Sequence, residues 1–118
     1  MIPHNRPTLN IEEEEAAIRV IRSGWLTQGK EVEAFENEFK IFVNAKYAVA
    51  VSSCTTGLHL ALKAVGVKEN DEVITVSQSF IATANSIRFC GAVPVFVDVE
   101  PGTYNLDPEL IERVISKK

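Results

Sequence analysis

The chain has 118 residues, enough for one domain with a core and too few for two. Apolar residues make up 46% and charged residues 24%, and the net charge of −4 comes with no run of lysine or arginine, so nucleic acid and anionic membranes are poor partners. The start has no apolar signal-peptide core, no apolar stretch approaches a bilayer span, and Cys54 and Cys90 have neither metal-ligand nor redox spacing; a cytoplasmic protein without a metal site is expected.

The first ten residues carry two prolines and no periodicity, and read as an extended arm. Asn10 is placed to cap a helix, with Glu12 to Glu15 complementing the positive end of its dipole. Ile11, Ile18 and Ile21 fall near one face of that helix, and Ser23-Gly24 ends it. A short loop from Trp25 to Lys30 follows. In the next helix Val32, Phe35, Phe39 and Phe42 recur at helical spacing, with Glu31, Glu33, Glu36 and Lys40 mostly opposite, so the phenylalanine stripe reads as core.

Beyond residue 46 the pattern changes. Three short apolar runs, Tyr47 to Ser52, Glu72 to Val76 and Pro94 to Asp98, are separated by helical stretches after Gly57 and over Ser79 to Phe89. Asp107-Pro108 opens a last helix, with aspartate as the cap and proline where a missing N–H costs nothing. This alternation predicts βαβ units: an α/β fold with a mostly parallel sheet, flanking helices and right-handed crossovers. A sheet of three such strands would keep open edges and bare faces, so the domain is expected to continue past residue 118. On this division residues 1–30 form an arm, helix and loop, and residues 31–118 begin the α/β core.

Chemistry is best sought where strands end. Val51 to Gly57 joins a strand to a helix, and bare N–H groups backed by small hydroxyl side chains suit a phosphate; the plainer alternative is that Ser53 or Thr55 only caps the helix. The segment is neither a Walker loop nor a dinucleotide fingerprint. Phe80, after the polar loop Ser77-Gln-Ser79, could stack on a flat ring or simply sit in the core. His59, among leucines, reads as a hydrogen-bonded structural histidine, and Asp98 as a capping or turn residue.

The order of segments resembles the N-terminal third of the DegT/DnrJ/EryC1/StrS aminotransferases. The likeness is carried by Ser23-Gly-Trp-Leu-Thr-Gln-Gly29, Phe35-Glu-Asn-Glu-Phe39 and Ser53-Cys-Thr-Thr-Gly-Leu-His-Leu-Ala-Leu62. It continues through Gly66 to Ile74, Ser79-Phe-Ile-Ala-Thr-Ala-Asn85, Gly91 to Val99 and Thr103-Tyr-Asn-Leu-Asp107. The resemblance implies the aspartate-aminotransferase fold (fold type I), a homodimer and pyridoxal 5'-phosphate as cofactor. It implies transfer of an amino group, commonly from glutamate, to a keto group of a nucleotide-linked sugar, in amino-sugar, polysaccharide or antibiotic-sugar biosynthesis. By position, Cys54 and Thr55 match the loop whose backbone holds the cofactor phosphate, with Thr56 assisting, and Phe80 matches the aromatic stacked on the pyridine ring. Trp25, Leu26 and Thr27 match the segment lining the substrate side. Cys54 stands where many members have glycine, a change a backbone contact tolerates at negative φ. The family's catalytic lysine and the aspartate paired with the pyridine nitrogen have no matching positions here, so this chain alone is expected to be inactive. A few members are dehydratases with histidine in place of that lysine, and the sequence leaves this alternative open, as it does a non-catalytic binding or structural role.

Overall fold

The computed structural model describes residues 4–116; residues 1–3 of the expected arm and Lys117 and Lys118 lie outside it. The chain divides into two compact units, Met1–Ala50 and Val51–Lys118, each described by itself.

The first unit is a pair of helices. From residue 5 the arm has no regular structure, and it leads into α1 (Ile11–Ser23) through an extended Asn10, whose amide donates to the Glu13 carboxylate at 2.6 Å. Glu12, Glu13 and Glu14 occupy the first turn, where negative charge suits the helix dipole, and Gly24 ends the helix at φ 69. α2 (Lys30–Phe42) starts from an extended Gly29 and ends with Asn44 at φ 52, where Asn44 donates to the Ile41 carbonyl and Ala45 to that of Lys40. That is the Schellman ending, with asparagine in the left-handed position usually held by glycine.

Two expectations fail in this unit. The phenylalanine stripe is not core: Phe35, Phe39 and Phe42 are 56%, 47% and 86% exposed, because no other element of the unit lies over that face of α2. The run beginning at Tyr47 forms no strand. A strand needs a neighbour for its backbone groups, and none is provided among the described residues; the Ala50 N–H goes instead to the Glu36 carboxylate at 2.7 Å.

The second unit holds α3 (Cys54–Ala64), β1 (Glu72–Val76), α4 (Ala82–Phe89), β2 (Val93–Val97) and α5 (Pro108–Val114). β1 and β2 run parallel, with Glu72 opposite Val93 and Val76 opposite Val97, so the predicted βαβ unit is present with two strands rather than three. α3 and α4 both end in the Schellman pattern seen in α2, with Gly66 (φ 91) and Gly91 (φ 76) in the left-handed position. Gly91 cannot be replaced freely, since a Cβ there would also come within 3.2 Å of the Glu69 backbone.

α4 begins three residues later than its sequence pattern suggests. Phe80 and Ile81 instead form a lead-in turn, their carbonyls accepting from Thr83 and Asn85. Ala82 and Ser86 in α4, and Cys90 at its C-cap, form a small buried edge at successive turns, and the Ser86 hydroxyl is satisfied by the Thr83 carbonyl at 2.9 Å. Ile87, Cys90 and Ala92 form the core, covered by Leu62, Val67 and Val73. Past β2 the Asp98 carboxylate accepts from Val99, the turn reading expected for it, and a Val99–Leu106 bridge closes the next loop. Asp107 then caps α5 by accepting from Glu109 at 2.9 Å, with Pro108 at the first helical position. His59 departs from expectation: its Nε2 is buried without a hydrogen-bond partner among the described residues, and its ring meets Phe89 edge-on at 5.9 Å.

Candidate functional site

Leu62, late in α3, packs against Ile87, late in α4, and Cys90, its C-cap, so the two helices lie side by side with their C-terminal ends together and point the same way. α4 is the crossover between parallel strands and runs against them. Its N-terminus, and that of α3, therefore lie toward the carboxyl ends of β1 and β2, where ligands of open α/β sheets gather.

At the start of α3, Ser53 is extended (φ −163, ψ 161) and its hydroxyl accepts from the Thr56 N–H at 3.2 Å. The capping alternative is thus true of Ser53. Yet the cap engages only one amide of the first turn, and the Gly57 N–H goes to the Ser53 carbonyl. The N–H groups of Cys54 and Thr55 have no partner among the described residues. α1 and α2 place glutamates in their first turns; α3 places no acidic residue there, and the positive end of its dipole is uncompensated.

The hydroxyls add to this. Thr56 Oγ1 contacts Ser52 Oγ at 3.2 Å and Ser53 Oγ at 3.0 Å. Two contacts use two protons of the three hydroxyls, which leaves one O–H to donate elsewhere. Free amides, a spare hydroxyl proton and no competing carboxylate together suit an anion. Ser52 was missed in the sequence, although its position four residues before Thr56 is the spacing that brings them together.

Phe80 lies just past the end of β1 and is 79% exposed, so the core reading of this residue does not hold. It borders a small cavity of about 110 Å³ with Val76, Ser77, Thr83 and Phe96, and no lysine lines it. An aromatic face and an anion site at one sheet edge can together hold a flat phosphorylated ring.

In the first unit, Trp25, Leu26 and Thr27 line a larger cavity of about 570 Å³ between α1 and α2. Arg19 and Glu31 join the helices beside it through a two-pronged contact, Nε to Oε1 at 3.1 Å and Nη2 to Oε2 at 3.3 Å. The hydrogen bond, then the charge, of each partner lowers the Glu31 carboxyl below its ordinary range and raises the Arg19 guanidinium above its own. Neither residue was singled out in the sequence, because twelve positions and a loop separate them.

The framework is the N-terminal part of an aspartate-aminotransferase-like large domain of fold type I. Residues 7–118 match the model of the DegT/DnrJ/EryC1/StrS aminotransferase family, and the chain belongs to that family. It is 45% identical over 117 residues to the spore coat polysaccharide biosynthesis protein SpsC of Bacillus subtilis (strain 168), covering 99% of this chain and 30% of that protein. Among solved structures, the PLP form of the putative sugar aminotransferase Spr1654 from Streptococcus pneumoniae superposes with a TM-score of 0.92 at 30% identity, over 98% of this chain and 29% of that one. The aminotransferase from Psychrobacter cryohalolentis does so at 0.88 and 37% identity, over 97% and 30%. The chain thus spans about 30% of the length of these relatives.

Proposed function

We propose that this chain is the N-terminal portion of a pyridoxal-phosphate-dependent sugar aminotransferase. The whole protein would move an amino group, commonly from glutamate, onto a keto group of a nucleotide-linked sugar for amino-sugar or polysaccharide biosynthesis. It would work in the cytoplasm as a homodimer. The observation that carries this is the pair of unpartnered amides at Cys54 and Thr55, with no first-turn carboxylate, at the sheet edge that also bears Phe80.

The residues present fit the cofactor. Cys54 and Thr55 would hold the phosphate through backbone N–H groups, the Ser52–Thr56–Ser53 hydroxyls would add one donor, and Phe80 would cover one face of the ring. When bound, pyridoxal phosphate supplies an electron-poor ring that stabilises negative charge developing at the amino-bearing carbon. The contribution of this chain is to bind, orient and shield. Trp25, Leu26 and Thr27 would face the sugar. On this reading, proton transfer and covalent attachment would fall to a lysine outside these 118 residues, and the ring nitrogen would pair with an aspartate likewise outside them. Neither the Phe80 cavity nor the start of α3 contains a lysine.

The test is made on the full-length protein. It should purify with a cofactor absorbing in the visible, lose that absorbance on adding glutamate, and form 2-oxoglutarate in equal amount. The 118-residue chain given the same cofactor and glutamate should form none. Full-length protein that neither retains the cofactor nor consumes glutamate overturns the proposal.

A further inference from the structure

Gly29 has no backbone reason to be glycine. It is extended (φ −166, ψ −155), a conformation open to any residue, and it is the N-cap of α2, where serine, aspartate or asparagine would stabilise the helix more. What the position requires is space. A Cβ on Gly29 would lie 2.5 Å from Cδ1 and 2.6 Å from Nε1 of the Trp25 indole, well inside contact distance.

The indole is held from other sides too. Its N–H donates to the Gln28 carbonyl at 2.7 Å, and the Trp25 backbone N–H donates to Ser23 Oγ at 3.1 Å. The polar atom of the ring is therefore satisfied within the loop, and the side against Gly29 is covered. The residue is still 63% exposed and borders the cavity of about 570 Å³, a volume typical of small-molecule sites. A large aromatic with its N–H internally bonded and an open face is fixed as a flat apolar contact surface.

We infer that Gly29 is a positioning residue: by lacking a side chain it seats Trp25 against the loop as a preformed platform for the nucleotide-linked sugar. The inference rests on the proposal that this loop faces substrate. A platform already in place spares the ligand the cost of ordering a mobile side chain, and Gly29 acts only through the ring.

The experiment uses the full-length protein labelled with 5-fluorotryptophan, the Trp25 resonance being identified by its loss in Trp25→Ala. Gly29→Ala and Gly29→Ser should both shift that resonance. Both should weaken binding of the probes UDP and dTDP, whichever the wild type takes, by roughly three- to tenfold, the worth of one aromatic contact. Serine is the better cap, so Gly29→Ser should bind more weakly with its thermal midpoint unchanged or raised, which a merely structural role would not produce. In the Trp25→Ala background, adding Gly29→Ala should change nothing further. Additive losses, or an unmoved resonance in both Gly29 variants, overturn the positioning role and leave the substrate-facing reading intact. Wild type binding neither nucleotide, or unaffected by Trp25→Ala, overturns that reading and the inference with it.

Discussion

Replacing Phe80 with alanine separates what this residue does for the fold from what it does for a ligand. Full burial of a phenylalanine is worth about 1.5–3 kcal/mol. Phe80 remains 79% exposed, so the fold draws on only about a fifth of that, and the substitution should cost about 0.5 kcal/mol of stability or less. The exposed remainder is available to a ring. Covering one face of it should account for about 1–2 kcal/mol of cofactor affinity, or roughly five- to thirtyfold in Kd. Titration of full-length apoprotein, followed at the cofactor's absorbance and paired with a thermal melt, measures both quantities. Unchanged affinity would place the ring elsewhere. A large drop in melting temperature would show that Phe80 is a packing residue and that its exposure has been misjudged.

Cys54→Pro removes one of the free amides without opposing the helix, because Ser53 before it is already extended and proline suits the first helical position. Relative to Cys54→Ala, it should weaken cofactor binding by about 1.5–3 kcal/mol, the worth of a hydrogen bond to a charged group; equal affinities in a parallel titration would argue against a phosphate at this amide. The Arg19–Glu31 contact should be pH-dependent in one direction. Glu31 titrates below its ordinary range in the folded chain, so the stabilisation is complete above the unfolded value and disappears as pH falls through the lowered one, with Arg19 charged throughout. The Arg19 Nε–H resonance should move over that acid window, less at high salt and not at all in Glu31→Gln; a flat wild-type titration contradicts this. The 118-residue chain alone should bind a hydrophobic dye and melt broadly, since Phe42, Val49 and Tyr47 are 86%, 77% and 75% exposed. A monomeric, cooperative transition in a dilute sample would refute it.

Features decided by a few neighbouring residues were legible in the sequence. Asp107-Pro108 opens α5, Gly24 follows the end of α1 in the left-handed conformation, and Ser53 caps α3, because each depends on one backbone angle or one hydrogen bond. The β1–β2 pair was legible because both strands and their crossover helix are present. Tyr47 to Ser52 failed because a strand is a property of two segments, and an apolar run in one says nothing of whether the other exists. The Phe35–Phe39–Phe42 stripe failed likewise: periodicity identifies the face that seeks cover, not what covers it. His59 shows the same limit in miniature, since its leucine neighbours indicated burial but not a partner for Nε2. At the start of α3 the Ser53 cap and the proposed phosphate contact do not compete, because the cap engages Thr56 and leaves the two preceding amides.

On the proposed function, the small edge of α4 would bear on catalysis in a way that its chemistry alone does not suggest. Ala82, Ser86 and Cys90 let the helix settle close against its neighbours, and Phe80 stands on the turn that leads into its first residue. With Phe80 covering the cofactor ring as proposed, the size of these three side chains would act as a spacer setting how high that ring stands above the sheet. Ser86→Ala preserves the spacing and should be mild, whereas a leucine there would raise the helix and carry Phe80 with it. A residue touching no ligand would then retune the cofactor's seat by thickness, and variation at position 86 becomes a route by which relatives of one chemistry could differ in grip.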